Sequence, residues 1–226
     1  VDWSLVEGVL TPVKNQGQCG SCWAFSATSQ VESTAVLLGA PPVTLSTQQV
    51  TSCTIVQAEL RDGETITECC FGCDGGDVSL AFEKLMDVQT VGLAPDALWP
   101  YAQGLTPEYE CVAASCTKPC DVDLDQLEAD FSYIGPYATL AKAVASTPVS
   151  VCLNAAAWDD YVGGVLTANE CGGFASTDID HCVQLVGYNA AADAPYWIVR
   201  NSWSAEWGVE GYIYLEMAPT LNTCGL

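Results

Sequence analysis

With 226 residues, 50% of them hydrophobic, the chain can bury one large core or two modest ones, and no apolar run reaches membrane-spanning length. Six basic residues against 28 acidic ones give a formal charge of −22, a field that repels nucleic acid and anionic membrane surfaces and so argues against both as partners. Thirteen cysteines are too many for a reducing cytosol unless they bind metal or do redox chemistry, and their odd number leaves at least one thiol unpaired or paired between chains. The opening Val1-Asp2-Trp3-Ser4 lacks the charged-then-apolar layout of a signal peptide, so the expectation is a processed, mature, soluble protein.

Residues 1 to 15 read as an extended entry into a turn around Gly17. The segment Gln16-Gly17-Gln18-Cys19-Gly20-Ser21-Cys22-Trp23 then runs from that glycine-spaced turn into a helix. Ala24, Ala27, Val31, Ala35 and Leu38 recur at helical spacing, and Gly39, Pro41 and Pro42 close the element. Cys22 falls in the first turn, where the helix dipole and unpaired N–H groups favour the thiolate. Three readings stay open there: a nucleophile, a structural disulfide, or a Cys19–Cys22 redox pair of the C-x-x-C kind.

Ser46-Thr47-Gln48-Gln49 has the form of a capping box opening a short helix through Cys53. Residues 54 to 72 are polar and acidic and read as a surface loop. After Cys73-Asp74-Gly75-Gly76-Asp77, Val78 to Met86 has helical periodicity with Asp77 as candidate N-cap. From Trp99-Pro100-Tyr101 to about Asp130 the pattern is loop-like, with Cys111, Cys116 and Cys120. It ends in an acidic run, Asp121 to Asp130, that reads as a solvated face, with a metal site as the rival. A short helix over 138–145 precedes strands at 149–153, 182–188, 196–200 and 211–215. A helical first half and a β-rich second half suggest two lobes.

The chain has one histidine. If Cys22 needs an imidazole base, His181 must supply it, from a position where a turn enters a strand. Asn201 ends the next strand. Its amide oxygen can hold one ring nitrogen while the other faces sulfur, and Trp203 could shield that bond from water.

Gln16, Cys22, His181 and Asn201 stand in the order and local contexts of the papain family of cysteine proteases, which the chain resembles over nearly its whole length. Cys19-Gly20-Ser21-Cys22-Trp23 is similar to that family's C-G-S-C-W, and Leu45 to Cys53 to its L-S-x-Q-x-x-x-x-C. Asn201-Ser202-Trp203, Trp207-Gly208 and Gly211-Tyr212 are similar to N-S-W-G-x-x-W-G-x-x-G-Y, with Ser204 where the family usually has glycine.

The resemblance implies an α+β, papain-like two-lobed fold with an active-site cleft between the lobes. A helical lobe over 8–131 would carry the nucleophile. A β-barrel-like lobe over 1–7 and 132–226 would carry histidine and asparagine. It implies a cysteine endopeptidase working through a thioester acyl-enzyme: Cys22 attacks, His181 is base and then acid, Asn201 orients it, and Gln16 with the Cys22 N–H stabilises the oxyanion. Exopeptidase action of the cathepsin B type would need an occluding loop with histidines of its own. The rivals are a peptide ligase on the same scaffold and a catalytically silent binding module.

Family pairing implies bridges Cys19–Cys73, Cys53–Cys111 and Cys171–Cys224. Cys69, Cys70, Cys116 and Cys120 are left for two more bridges of undetermined partners, or a zinc knot. Cys152 and Cys182, on neighbouring strands, are expected to bridge in the wall of a substrate subsite. The other implied substrate-binding positions are Gly75, Gly76, Asp77, Val78, Ile179, Asp180 and Trp203. Asp77 either attracts a basic side chain or merely caps its helix. The chain ends at Leu226, short of the family segment that usually floors this pocket. No cofactor and no metal are expected. The expected partners are peptide or protein substrates, the protein's own pro-segment and cystatin-type inhibitors. The expected state is a monomer, secreted or in a lysosomal or digestive-vacuole compartment.

Overall fold

The structure is a computed structural model that describes residues 1–54, 56–59, 65–68, 72–87, 92–103, 137–173, 175, 177–218 and 222–226. The expectations for Cys69, Cys70, Cys111, Cys116, Cys120 and the acidic run at 121–130 lie outside the described residues. The chain divides into two compact units. One comprises Gln16–Thr28 and Val43–Phe131, the other Val1–Asn15, Ser29–Pro42 and Ser132–Leu226.

Helix α1, Cys22–Leu37, is one 16-residue helix, and the division falls after its Thr28. From Trp23 to Ser29 every residue is buried. A helix buried all round has no polar face to give away, so small and hydroxyl residues fill it. Thr28 Oγ1 donates to Ala24 O (2.7 Å) and Ser33 Oγ to Ser29 O (3.1 Å), which satisfies those hydroxyls within the helix. Its end is a Schellman motif: Ala40 N donates to Ala35 O and Gly39 N to Val36 O, both 2.9 Å, with Gly39 at φ 99°.

In the first unit, Ser46 caps α2, Thr47–Cys53, by accepting from Gln49 N (3.0 Å). The box is only half made. The Gln49 side chain turns away to accept from Ala94 N (2.7 Å) and donate to Gly92 O (3.1 Å), tying α2 to the segment before Trp99. The stretch read as a surface loop contains an antiparallel hairpin, β1 Val56–Glu59 against β2 Thr65–Glu68, which corrects that expectation. Helix α3 covers Val78–Asp87.

The second unit carries α4, Tyr137–Val144, and a five-stranded sheet. Its strands are β3 Val149–Leu153, β4 Val165–Leu166, β5 His181–Asn189, β6 Tyr196–Arg200 and β7 Tyr212–Glu216. They lie in the order β3-β5-β6-β7-β4, antiparallel except for the parallel β4–β7 pair. The sheet is open, with β3 and β4 as its edges, so the barrel-like expectation is corrected: a two-residue β4 pairs with β7 and does not reach β3 among the described residues. β5 is buried on both faces from His181 to Gly187, as a central strand must be. Leu153, Trp158, Val183, Leu185, Trp197, Val199, Ile213 and Leu215 form the core around it.

The entry segment is not simply extended. Trp3–Leu5 is a 3-10 turn capped by Asp2, whose carboxylate accepts from Ser4 N, and Trp3 Nε1 donates to Val144 O (2.7 Å) at the end of α4. The C-terminal half of α1 belongs to this unit through polar seams. Gln184 Nε2 donates to Ser29 O (3.0 Å) and Ser33 Oγ (3.1 Å), and Gln30 Oε1 accepts from Ser150 N. Buried Glu32 accepts from Lys14 Nζ and Thr11 Oγ1, both 2.6 Å, while buried Arg200 donates to Thr11 O (2.6 Å). Burial pushes the Arg200 guanidinium down from its usual range, and the Glu32 charge opposes that shift.

Candidate active site

The loop leading into α1 is held from several sides within the first unit. The Cys19–Cys73 bridge and the Gly20 N–H to Cys73 O bond (3.0 Å) fix it to the Gly72–Asp74 turn. A Cβ on Gly20 would sit 2.5 Å from Cys73 O, so only glycine allows that approach. Because Cys19 is committed to Cys73, the Cys19–Cys22 redox pair is set aside. Cys22 is half-buried at the first position of α1, at the positive end of the helix dipole. Gln16 is buried, and one of its amide N–H groups donates to Cys19 O (2.9 Å), which orients the carboxamide within the loop.

In the second unit His181 opens β5 and Asn201 directly follows β6, an adjacent strand, so sheet pairing alone brings them together. His181 Nε2 lies 2.8 Å from Asn201 Oδ1. The Ser202 backbone N–H donates to the same Oδ1 (2.8 Å), which identifies that atom as an acceptor. Nε2 therefore carries the proton, and in the neutral ring Nδ1 is left with its lone pair. Both residues are buried. Burial pushes the His181 imidazolium down, ahead of the Asn201 hydrogen bond and the Asp180 charge, which both raise it.

The ring sits among tryptophans. Trp203 lies 4.9 Å away between centroids, and Trp158 approaches edge-on at 5.9 Å. Trp207 stacks on Trp158 at 6.1 Å. Sequence reasoning named Trp203 but missed Trp158, a lone aromatic after three alanines with no pattern to mark it.

The implied subsite residues fall into two sets. Gly75, at φ 100°, and Gly76 precede α3, and a Cβ on Gly76 would lie 2.5 Å from the Trp23 ring, so this backbone lies flat on the first turn of α1. Asp77 Oδ1 accepts from Ser79 N (2.6 Å) and Leu80 N (3.4 Å), the capping geometry, and Val78 is buried. In the sheet unit, Cys152 and Cys182 are directly opposed on β3 and β5 and form a disulfide, one rung from His181. Asp180 accepts from Ala155 N (2.8 Å), and Ile179 and Trp203 are half-buried. The Cys171–Cys224 bridge is also made. Cys53 is half-buried at the end of α2, and its expected partner, Cys111, lies outside the described residues. Three disulfides fit an oxidising compartment. Among the described residues there is no cluster of three or more metal-ligating side chains, and no helix is long and apolar enough to cross a membrane.

The architecture is α+β of the papain-like type. It is similar to the structure of the bromelain protease from Ananas comosus in complex with the E64 inhibitor, with a TM-score of 0.71, 30% identity, and coverage of 100% of this chain and 93% of that one. The model of the papain family cysteine proteases matches residues 1–226, and the chain belongs to that family. A cysteine proteinase of Trypanosoma brucei brucei is 35% identical over 96% of this chain and 43% of its own length. The oryzain gamma chain of Oryza sativa subsp. japonica is 35% identical over 100% of this chain and 56% of its own length. The chain thus spans about half the length of the curated relatives it matches.

Proposed function

We propose that the chain is the catalytic part of a cysteine endopeptidase that hydrolyses peptide bonds through a thioester acyl-enzyme. The buried His181–Asn201 hydrogen bond carries the reading, because it leaves Nδ1 as the one ring nitrogen able to exchange a proton with sulfur. Cys22 Sγ attacks the scissile carbonyl. The Cys22 N–H and the Gln16 carboxamide donate to the oxyanion, His181 protonates the leaving amine, and the same ring then takes a proton from the water that opens the thioester. The reading requires Cys22 Sγ and His181 Nδ1 to come within hydrogen-bonding reach. Peptide or protein substrates would bind along Gly75, Gly76 and the Cys152–Cys182 wall. Asp77 is then a cap first, because its carboxylate already serves two α3 amides. A pro-segment, cystatin-type inhibitors, a monomeric state and a secreted or lysosomal location belong to the same proposal.

The test is peptide turnover with E64, the inhibitor in the bromelain complex. E64 should abolish turnover and label Cys22, and Cys22→Ala and His181→Ala should each lose at least roughly a thousand-fold in kcat/KM. Turnover that survives Cys22→Ala would sink the proposal. Peptide binding with no turnover at all would make the chain a binding module. Transfer of the acyl group to an added amine in preference to water would make it a ligase.

A further inference from the structure

We infer that Tyr101 is a positioning residue for the oxyanion-stabilising donors, an inference that rests on the proposed roles of Gln16 and Cys22. The two donors lie at opposite ends of a loop that contains Gly17, at φ 58°, and Gly20. The Cys19–Cys73 bridge and the Gly20 N–H to Cys73 O bond pin the middle of that loop, and Gln16 and Cys22 lie beyond those anchors on either side. The Tyr101 phenol spans them. Its hydroxyl donates to the Gln16 carbonyl (3.1 Å), so the Ser21 hydroxyl must be the donor in the 2.7 Å Ser21–Tyr101 contact. Ser21 is fully buried and bonded directly to Cys22, and its carbonyl accepts from Ala24 N (2.9 Å) and Phe25 N (3.2 Å) at the start of α1.

The hydrogen bonds close a circuit. Gln16 Nε2 and Ser21 N both donate to Cys19 O, at 2.9 and 2.8 Å, while the phenol joins Ser21 back to Gln16. The Tyr101 ring is itself seated edge-on against Phe25, with centroids 4.7 Å apart. One hydroxyl on a packed ring thus ties the residue that carries the carboxamide to the residue before the Cys22 N–H, and donors aimed in advance at a developing charge are where placement counts most. Tyr101 acts through the Gln16 carbonyl and the Ser21 hydroxyl, to which it is bonded.

Tyr101→Phe keeps the ring and removes the strut. The expected result is a fall in kcat for a peptide amide of roughly ten-fold, with KM nearly unchanged. Affinity for a peptide aldehyde, whose adduct places an oxygen between the same donors, falls in parallel. Alkylation of Cys22 by iodoacetamide displaces iodide at a saturated carbon and develops no oxyanion, so its rate stays at the wild-type value. Ser21→Ala removes the other half of the strut and shows the same pattern, and it decides the matter if the phenylalanine variant does not fold. Equal losses in turnover and alkylation would overturn the inference in favour of general support of the helix start. Unchanged turnover in both variants would overturn it outright. Wild-type enzyme that keeps its activity after Cys22 is alkylated would instead sink the underlying catalytic reading.

Discussion

At Ser204 the backbone turns with φ of 79°, left-handed territory in which a β-carbon is crowded. The turn follows Trp203, with the Ser204 N–H on Lys14 O (3.0 Å) and its hydroxyl accepting from Glu206 N (3.3 Å). The departure from the family's glycine here therefore has a conformational cost that its sequence context did not show. Relief of the left-handed strain is worth about 1–2 kcal/mol; glycine's extra freedom in the unfolded chain takes back about 0.5–1, and loss of the exposed hydroxyl–Glu206 N bond takes back a few tenths more. Ser204→Gly should therefore stabilise the protein by about 0.5 kcal/mol, a Tm gain of roughly 1–2 °C for a chain of this size. Ser204→Ala keeps the strain and loses the hydroxyl, so its Tm should fall. Calorimetry that ranks alanine above glycine would refute this account.

At the scale of elements, the cross-link between β3 and β5 ties an edge strand to its neighbour in the sheet. Cys152, exposed, and Cys182, buried, close a loop with a sequence separation of 30. Loop-closure entropy for that length amounts to roughly 3–4 kcal/mol. The Cys171–Cys224 bridge starts inside the same loop and already restricts it, so the net effect should be smaller, about 2–3 kcal/mol. The double replacement Cys152→Ala/Cys182→Ala should lower Tm by roughly 5–10 °C. A Tm within a degree of wild type would mean the bridge is not formed in solution.

Legibility tracked how local each signal was. The strand residues Val149–Leu153 and Tyr196–Arg200 were bounded correctly, because β-branched runs between turn signals leave little choice. The β1–β2 hairpin is hidden by composition: residues 54–72 are polar and acidic and read as a loop, although Thr65-Ile66-Thr67 has strand character. His181 and Asn201 could be named from residue chemistry. Tyr101 and Trp158 could not, because the groups they touch lie 80 and 23 residues away in sequence (101 − 21 and 181 − 158). The half-made capping box is the intermediate case. Ser46 was readable from its neighbours, but Gln49 answers to Gly92 and Ala94.

For the whole molecule, a charge of −22 and one histidine give an unusually clean titration. Between about pH 5.5 and 7.5 the acidic excess repels itself, so added salt should stabilise the fold. Over that window His181 is the side chain whose protonation changes most. With burial dominating, its folded pKa lies below the unfolded value. The unfolded chain then takes up the proton first as pH falls, so stability is full above about pH 6.5 and declines toward the folded pKa, by at most about 1.4 kcal/mol per pH unit. That is the expectation for Cys22→Ala, which removes the thiol and any turnover. With Cys22 intact the sign stays the same, because a thiolate–imidazolium pair and a thiol beside a neutral imidazole hold the same number of protons. Either way the folded state holds one proton fewer than an unfolded chain that carries both a thiol and an imidazolium. Denaturant unfolding of Cys22→Ala at pH 5.5, 6.5 and 7.5 should therefore show stability rising with pH, and Cys22→Ala/His181→Gln should be flat across the window. Stability of Cys22→Ala that stays flat, or that falls as pH rises, would show that burial does not depress the His181 imidazolium, and this account would fall with that result.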